Sequence, residues 1–505
     1  MNTFDATKHP TEHGQTSASD IYRATVLAPL FAAAKTHARH YTRIDQAYAS
    51  MLVEQGILSG DAGKSLLDGL ARIEETLQLG QQADAGPYED LFYLREAALK
   101  DVIGSDLAGR LHTGRSRNDI EATVFRLQLK EAILQTMEFL GRLVETLLAL
   151  AEVERATPIV AYTHGQPAQP TTFGHYLLGF TEVLLRDLKR LSHAVHDVDA
   201  CPLGAAAITT TGFPINRERL ADLLGFAQVQ ENSYGCIAAA DQFAAAQAAL
   251  QLMFINIGRV VQDMAFWTSF EVGQARAGDG FVQISSIMPQ KRNPLAIEHL
   301  RVMASLGAGN CQAAIQALHN TPFADMVDAE GPTQSVGLAS FDRAARVLPL
   351  LESFLSDLKI DVARAIHNAD QSCATMTELA DSLVRLEGVA FRTAHDIASS
   401  LASSLVAAGR GISGLTGEEV SAAFEQAVGR KPGLSAQALK ALAQVDHFIA
   451  VRDRTGGPGP NAMASSLRRQ TQQLRDLREA GRHLRMQDAD AAKRLHATRA
   501  KLTGA

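Results

Sequence analysis

The stretch SSIMPQKRNP, residues 285–294, brings Ser285, Ser286, Lys291 and Asn293 within nine residues of one another. Serine hydroxyls, a lysine ammonium and an asparagine amide concentrated on one loop put chemistry at a helix end. Gly273, Gly278 and Gly280 lie just upstream, so the serines sit on a loop able to close over a bound molecule and exclude water. Two further loops concentrate polar groups: HTGRSRND (112–119), with Ser116, Arg117 and Asn118, and YTHGQPAQP (162–170), with Thr163, His164 and Gln166. Arg117 and Asn118 stand at the expected start of a helix over 116–156, where free N–H groups and the dipole favour an anion. Lys291 and Asn293 precede Pro294, which suits the first turn of another helix. Each loop alone could be a helix cap with surface ion pairs, Ser116 and Asp119 being the capping residues. Together the three point to an anionic, carboxylate-bearing substrate.

Such loops need rigid elements to carry them, and proline placement shows which. No proline occurs between Pro87 and Pro158, or between Pro214 and Pro289. Proline costs a helix interior about 3 kcal/mol, so both gaps leave room for very long helices. In the first gap Leu129, Ile133, Thr136, Leu140, Leu143, Leu147 and Leu150 alternate steps of four and three. In the second, Phe243, Ala246, Leu250, Met253, Ile257, Val260, Met264 and Trp267 do the same. These near-heptad stripes predict long helices packed as a bundle, and period-two strand patterns are scarce. The expected fold is all-α in three domains: an N-terminal helical domain over 1–111, a long-helix bundle over 112–366 and a C-terminal helical domain over 367–505. The Pro-free, charged segment from Asn461 to Lys501 reads as a further helix with a solvated face.

The 505 residues are 46% hydrophobic and 20% charged, with a formal charge of −7, which implies no polyanionic partner. Cys201, Cys236, Cys311 and Cys373 are far apart and form no metal pattern, which fits a reducing compartment. The first twenty residues lack the order of a signal peptide, and no apolar run approaches about 18 residues. A cytoplasmic protein that binds neither nucleic acid nor membrane is expected. The histidines of HPTEH (9–13) read as part of a polar tail. GRGISG (409–414) follows a helical run, not a strand, so it is no nucleotide-binding fingerprint.

SSIMPQKRNP resembles the signature loop of the aspartase/fumarase superfamily, Gly-Ser-Ser-x-Met-Pro-x-Lys-x-Asn-Pro. LHTGRSRND is similar to the diagnostic segment of its argininosuccinate lyase branch, as are PLGAAAITTTGFPINRE (202–218), Asn232-Ser233 and GGPGP near the C-terminus. The likeness runs in the family's order from about Asp45 to about residue 465. It implies a three-domain helical subunit, a homotetramer with a shared helical core, and active sites built from three loops of three subunits. It implies reversible cleavage of a C–N bond with release of fumarate, with no metal or organic cofactor. By the same resemblance Ser285 is the base, Lys291 and Asn293 hold the carboxylate, and His164, oriented by Glu298, assists the leaving nitrogen. Ser116, Arg117, Asn118, Thr163, Gln166 and Ser286 match substrate-binding positions.

The chain also departs from that pattern. Ile284 stands where the signature has glycine, and Phe92 and Tyr48 stand where the family has histidines. IAAADQ (237–242) lacks the family's Asp-Arg pair. Asp325, Glu330 and Thr333 fall where argininosuccinate lyases carry Tyr, Gln and Lys. Asp325, Asp328 and Glu330 are therefore the candidate leaving-group pocket, and they suit a cationic amine. The expected activity is cleavage of argininosuccinate to L-arginine and fumarate. The alternatives are the same chemistry on another aminocarboxylate or diamine adduct of fumarate, and a catalytically silent, crystallin-like structural protein.

Overall fold

The computed structural model describes residues 18–504 apart from 78, 80, 81 and 83, so HPTEH and most of the polar tail lie outside the described residues. After a helical stretch over 20–35 come three helices: α1 (Ala38–Glu54), α2 (Gly60–Thr76) and α3 (Leu91–Ile103). Five long helices follow: α4 (Arg117–Val153), α5 (Phe173–Val198), α6 (Asp241–Trp267), α7 (Leu295–Ala317) and α8 (Gly331–Asp357). Shorter helices occupy 362–450, and α9 (Pro460–Thr503) closes the chain. The expected all-α fold is what forms.

Both sequence stripes face inward. Every residue of the α6 stripe is buried, and on α4 only Leu150, near the helix end, is partly open. α4 packs on α5, α8 and α9; α6 packs on α5 and α7; α7 packs on α8. α6 has the length and hydropathy of a membrane span, but its stripe belongs to the same apolar core as α4, α5 and α8. Two other apolar cores flank the bundle. One joins α1–α3 to residues 201–226, and the other lies wholly within 373–443.

The approach of α7 to α6 depends on Gly307, because a Cβ there would lie 2.6 Å from the ring of buried Phe254. Gly307→Ala should therefore lower the melting temperature by several degrees, the overpacking cost of about 1–3 kcal/mol outweighing alanine's helix preference. Differential scanning calorimetry checks this; an unchanged or raised Tm would contradict the packing described.

Aromatic contacts give the bundle's direction. Phe125, early in α4, meets Phe243, early in α6, at 5.2 Å, whereas Tyr176, early in α5, meets Trp267, at the end of α6, at 4.6 Å. Neighbouring helices therefore alternate, and the loops fall at two ends. The 112–119 and 318–330 segments share one end. The 162–170 segment and the serine loop share the other.

The 162–170 segment is an ordered hairpin, which its prolines concealed. Strands β1 (Pro158–Thr163) and β2 (Gln166–Thr172) pair antiparallel, with a register shift between Ala161 and Tyr162 that leaves Ala168 of β2 unpaired. His164 (φ 55°) and Gly165 (φ 74°) are the two turn residues, both left-handed as a tight hairpin turn requires.

Candidate active site

The base of the serine loop is a second small hairpin, β3 (Gln283–Ile284) against β4 (Arg292–Asn293). A side-chain bond from Arg292 to the Ala277 carbonyl at 3.2 Å and an ion pair with Asp279 at 2.6 Å hold its return strand. Ile284, in the signature's glycine position, pairs with Arg292 and so extends the ladder. Beyond it the tip folds back on Ser285: its Oγ accepts from the backbone N–H of Met288 at 3.1 Å and of Ile287 at 3.4 Å. Two N–H dipoles on one hydroxyl oxygen favour the alkoxide over the alcohol, the condition a serine base needs. Ser286, Ile287 and Lys291 are exposed at this tip, and Asn293 is half-buried at its root. Glu298 is exposed in the first turn of α7, after Pro294.

His164, Thr163 and Gln166 lie exposed at the tip of the β1–β2 hairpin, at the same end of the bundle. Among the described residues no hydrogen bond or ion pair joins His164 to Glu298, or either of them to Ser285.

The opposite end carries the rest. Ser116 caps α4 in a capping box with Asp119, whose carboxylate accepts from Ser116 N at 2.9 Å. Asp119 also accepts from Gly204 N at 2.8 Å and Ala206 N at 3.0 Å, tying this loop to 202–218; burial pushes its pKa up to about 6. Arg117 pairs with Asp90 at 2.8 Å and Glu89 at 3.2 Å, and its guanidinium lies 5.6 Å over the Tyr93 ring. Asn118 bonds through its side-chain amide to Asp325. Glu330 is pushed up to about 7 by desolvation and by the adjoining Asp325 carboxyl, against the pull of Arg117. Asp328 is exposed in the short turn Val327–Ala329, and Thr333 is buried in α8. Sequence reasoning passed over Glu89, Asp90 and Tyr93. Its one usable signal was that Asp90 directly precedes a helix, where it caps by accepting from Tyr93 N at 3.0 Å.

α4 has 37 residues and so spans about 55 Å at 1.5 Å per residue. Arg117 at its start and the His164 hairpin just past its end cannot meet one small molecule within a single chain. Exposed apolar side chains run along α6 (Leu252, Ile255) and α7 (Val302, Leu306), on bundle faces that the chain itself leaves open.

The family model described as Lyase matches residues 27–306, and that described as Argininosuccinate lyase C-terminal matches residues 373–449. The chain is 49% identical over 445 residues to "Argininosuccinate lyase 2" of Agrobacterium fabrum, covering 88% of each. It is 35% identical over 434 residues to an argininosuccinate lyase of Methanoculleus marisnigri, covering 85% of each. Among solved structures it superposes on EDDS lyase in complex with formate with a TM-score of 0.85, at 27% identity and over 97% of both chains. The class II fumarase of Schistosoma mansoni, at 15% identity and a TM-score of 0.67, shares the fold. The chain belongs to the argininosuccinate lyase branch of the aspartase/fumarase superfamily.

Proposed function

We propose that the protein is a carbon–nitrogen lyase that cleaves an N-substituted L-aspartate by anti-elimination and releases fumarate, with argininosuccinate as the first substrate. Ser285 Oγ takes the proton from the carbon next to the substrate carboxylate, and the electron pair moves onto that carboxylate as an aci-form. Lys291 and Asn293 meet the growing charge there. The aci-form then collapses: the C–C double bond forms, the C–N bond breaks, and the leaving nitrogen takes a proton from His164, which Glu298 orients. Arg117 and Asn118, with Ser116, Thr163, Gln166 and Ser286, bind the rest of the substrate. The observation that carries this reading is the pair of backbone N–H groups on Ser285 Oγ, within a loop that also bears Lys291 and Asn293. The length of α4 and the open apolar faces of α6 and α7 support a homotetramer with sites shared among three subunits. A small-molecule substrate, a cytoplasmic setting and domain boundaries at 111 and 366 complete the proposal.

A second reading differs only in the amine. Asp325 bonds to Asn118 and Glu330 adjoins Asp325, and the two acids favour a cationic amine from another aminocarboxylate or a diamine. Running the reaction backwards separates the two: fumarate is mixed with L-arginine, other amino acids or diamines, and the loss of fumarate absorbance is followed. Fastest consumption with L-arginine supports the first reading; consumption only with diamines supports the second. If Glu330 contacts the amine, its charge is lost as pH falls through about 7. The KM for a cationic amine should then rise several-fold between pH 8 and pH 6, and Glu330→Gln should flatten that dependence.

A further inference from the structure

The loop that carries Arg117 and Asn118 is held from beneath by a residue outside it. Tyr48, on α1, is fully buried and donates its hydroxyl to the Thr113 carbonyl at 2.9 Å. The Arg115 guanidinium lies 5.0 Å from the centre of the same ring and pairs with Asp45, one turn earlier on α1, at 2.8 Å. Asp45 also faces Arg95 of α3 at 3.5 Å, and Arg95 reaches Glu74 of α2 at 2.7 Å. A continuous polar chain, buried except at its Glu74 end, thus links α1, α2 and α3 to the backbone just ahead of α4. Gly114 adopts φ +76°, and a Cβ there would sit 3.3 Å from both the Tyr48 hydroxyl and the Thr211 methyl, so the turn is closed on two sides.

We infer that Tyr48 is a positioning residue for substrate binding: its hydroxyl, bonded to Thr113, fixes the backbone turn that sets Arg117 and Asn118 in place. This rests on the proposal that those two residues bind substrate. The hydroxyl acts as a single donor to a single carbonyl. Removing the donor leaves the part-buried Thr113 carbonyl without its partner, and the turn populates other conformations. A site whose competent form is only partly populated binds more weakly in proportion, while the bound complex reacts at its former rate because Ser285 and Lys291 stand on a different loop.

Tyr48→Phe and Tyr48→His, prepared as full-length protein, test the inference by steady-state kinetics and by hydrogen exchange of the 113–118 amides. Tyr48→Phe is expected to raise KM about tenfold, equivalent to about 1.4 kcal/mol, with kcat within about twofold. Its exchange should quicken at 113–118 and not through α1–α3, and Tyr48→His, which keeps a donor, should recover most of the affinity. Unchanged KM and exchange in Tyr48→Phe would overturn the inference. So would equal losses in both variants with faster exchange throughout α1–α3, since that marks a merely structural tyrosine. Should the wild type release no fumarate, the functional reading fails, and exchange at 113–118 still decides for or against the positioning role.

Discussion

Ser285→Ala should lower kcat by about a thousandfold or more while the protein still folds and still binds fumarate. A positioned general base contributes about 10²–10⁴ in rate. The Oγ removed is the one that accepts from Met288 and Ile287, so the tip also loses two N–H contacts. Those contacts are exposed at the tip, where water substitutes for them, so the fold does not depend on them. Single-turnover release of fumarate isolates the chemical step, and fumarate titration reports binding separately. A variant that kept more than about a tenth of wild-type turnover would remove Ser285 from the role of base.

Ser285→Ala and His164→Ala chains, each inactive alone, should regain activity when mixed and allowed to exchange subunits. The two residues lie at one end of the bundle on separate hairpins, and among the described residues no hydrogen bond or ion pair joins them. If each site draws its serine loop and its histidine loop from different subunits, random mixing restores both intact loops in roughly a quarter of the sites. The recovered rate should therefore approach about a quarter of wild type. No recovery despite demonstrated exchange, or an active monomer by light scattering, would contradict shared sites.

The bundle was legible because its evidence is local and periodic. The stripes from Leu129 and from Phe243 need only the 3.6-residue repeat, and proline-free gaps bounded their helices. The β1–β2 hairpin was not legible, since Pro167 and Pro170 mask a strand and its turn depends on the left-handed backbone of His164. The serine loop was recognisable by residue type, yet nothing in SSIMPQKRNP foretold that Ile284 would pair with Arg292 or that Met288 N would reach Ser285 Oγ. Tyr48 and Thr113 lie 65 residues apart, and Asn118 and Asp325 lie 207 apart. Pairings at such distances follow from how helices pack, which no local spacing encodes. Asp325 and Glu330 could be read as departures from a family pattern, but the placement of Asp325 against Asn118 is a product of the fold.

Fumarate release is the most direct test of the whole account. Purified protein mixed with argininosuccinate, and separately with diamine and amino-acid adducts of fumarate, is followed by the ultraviolet absorbance of fumarate. The account predicts stoichiometric fumarate from at least one N-substituted aspartate, argininosuccinate first, with the signal lost in Ser285→Ala. No fumarate from any of these adducts, from protein verified as folded, would contradict a lyase and restore the silent, structural reading of the chain.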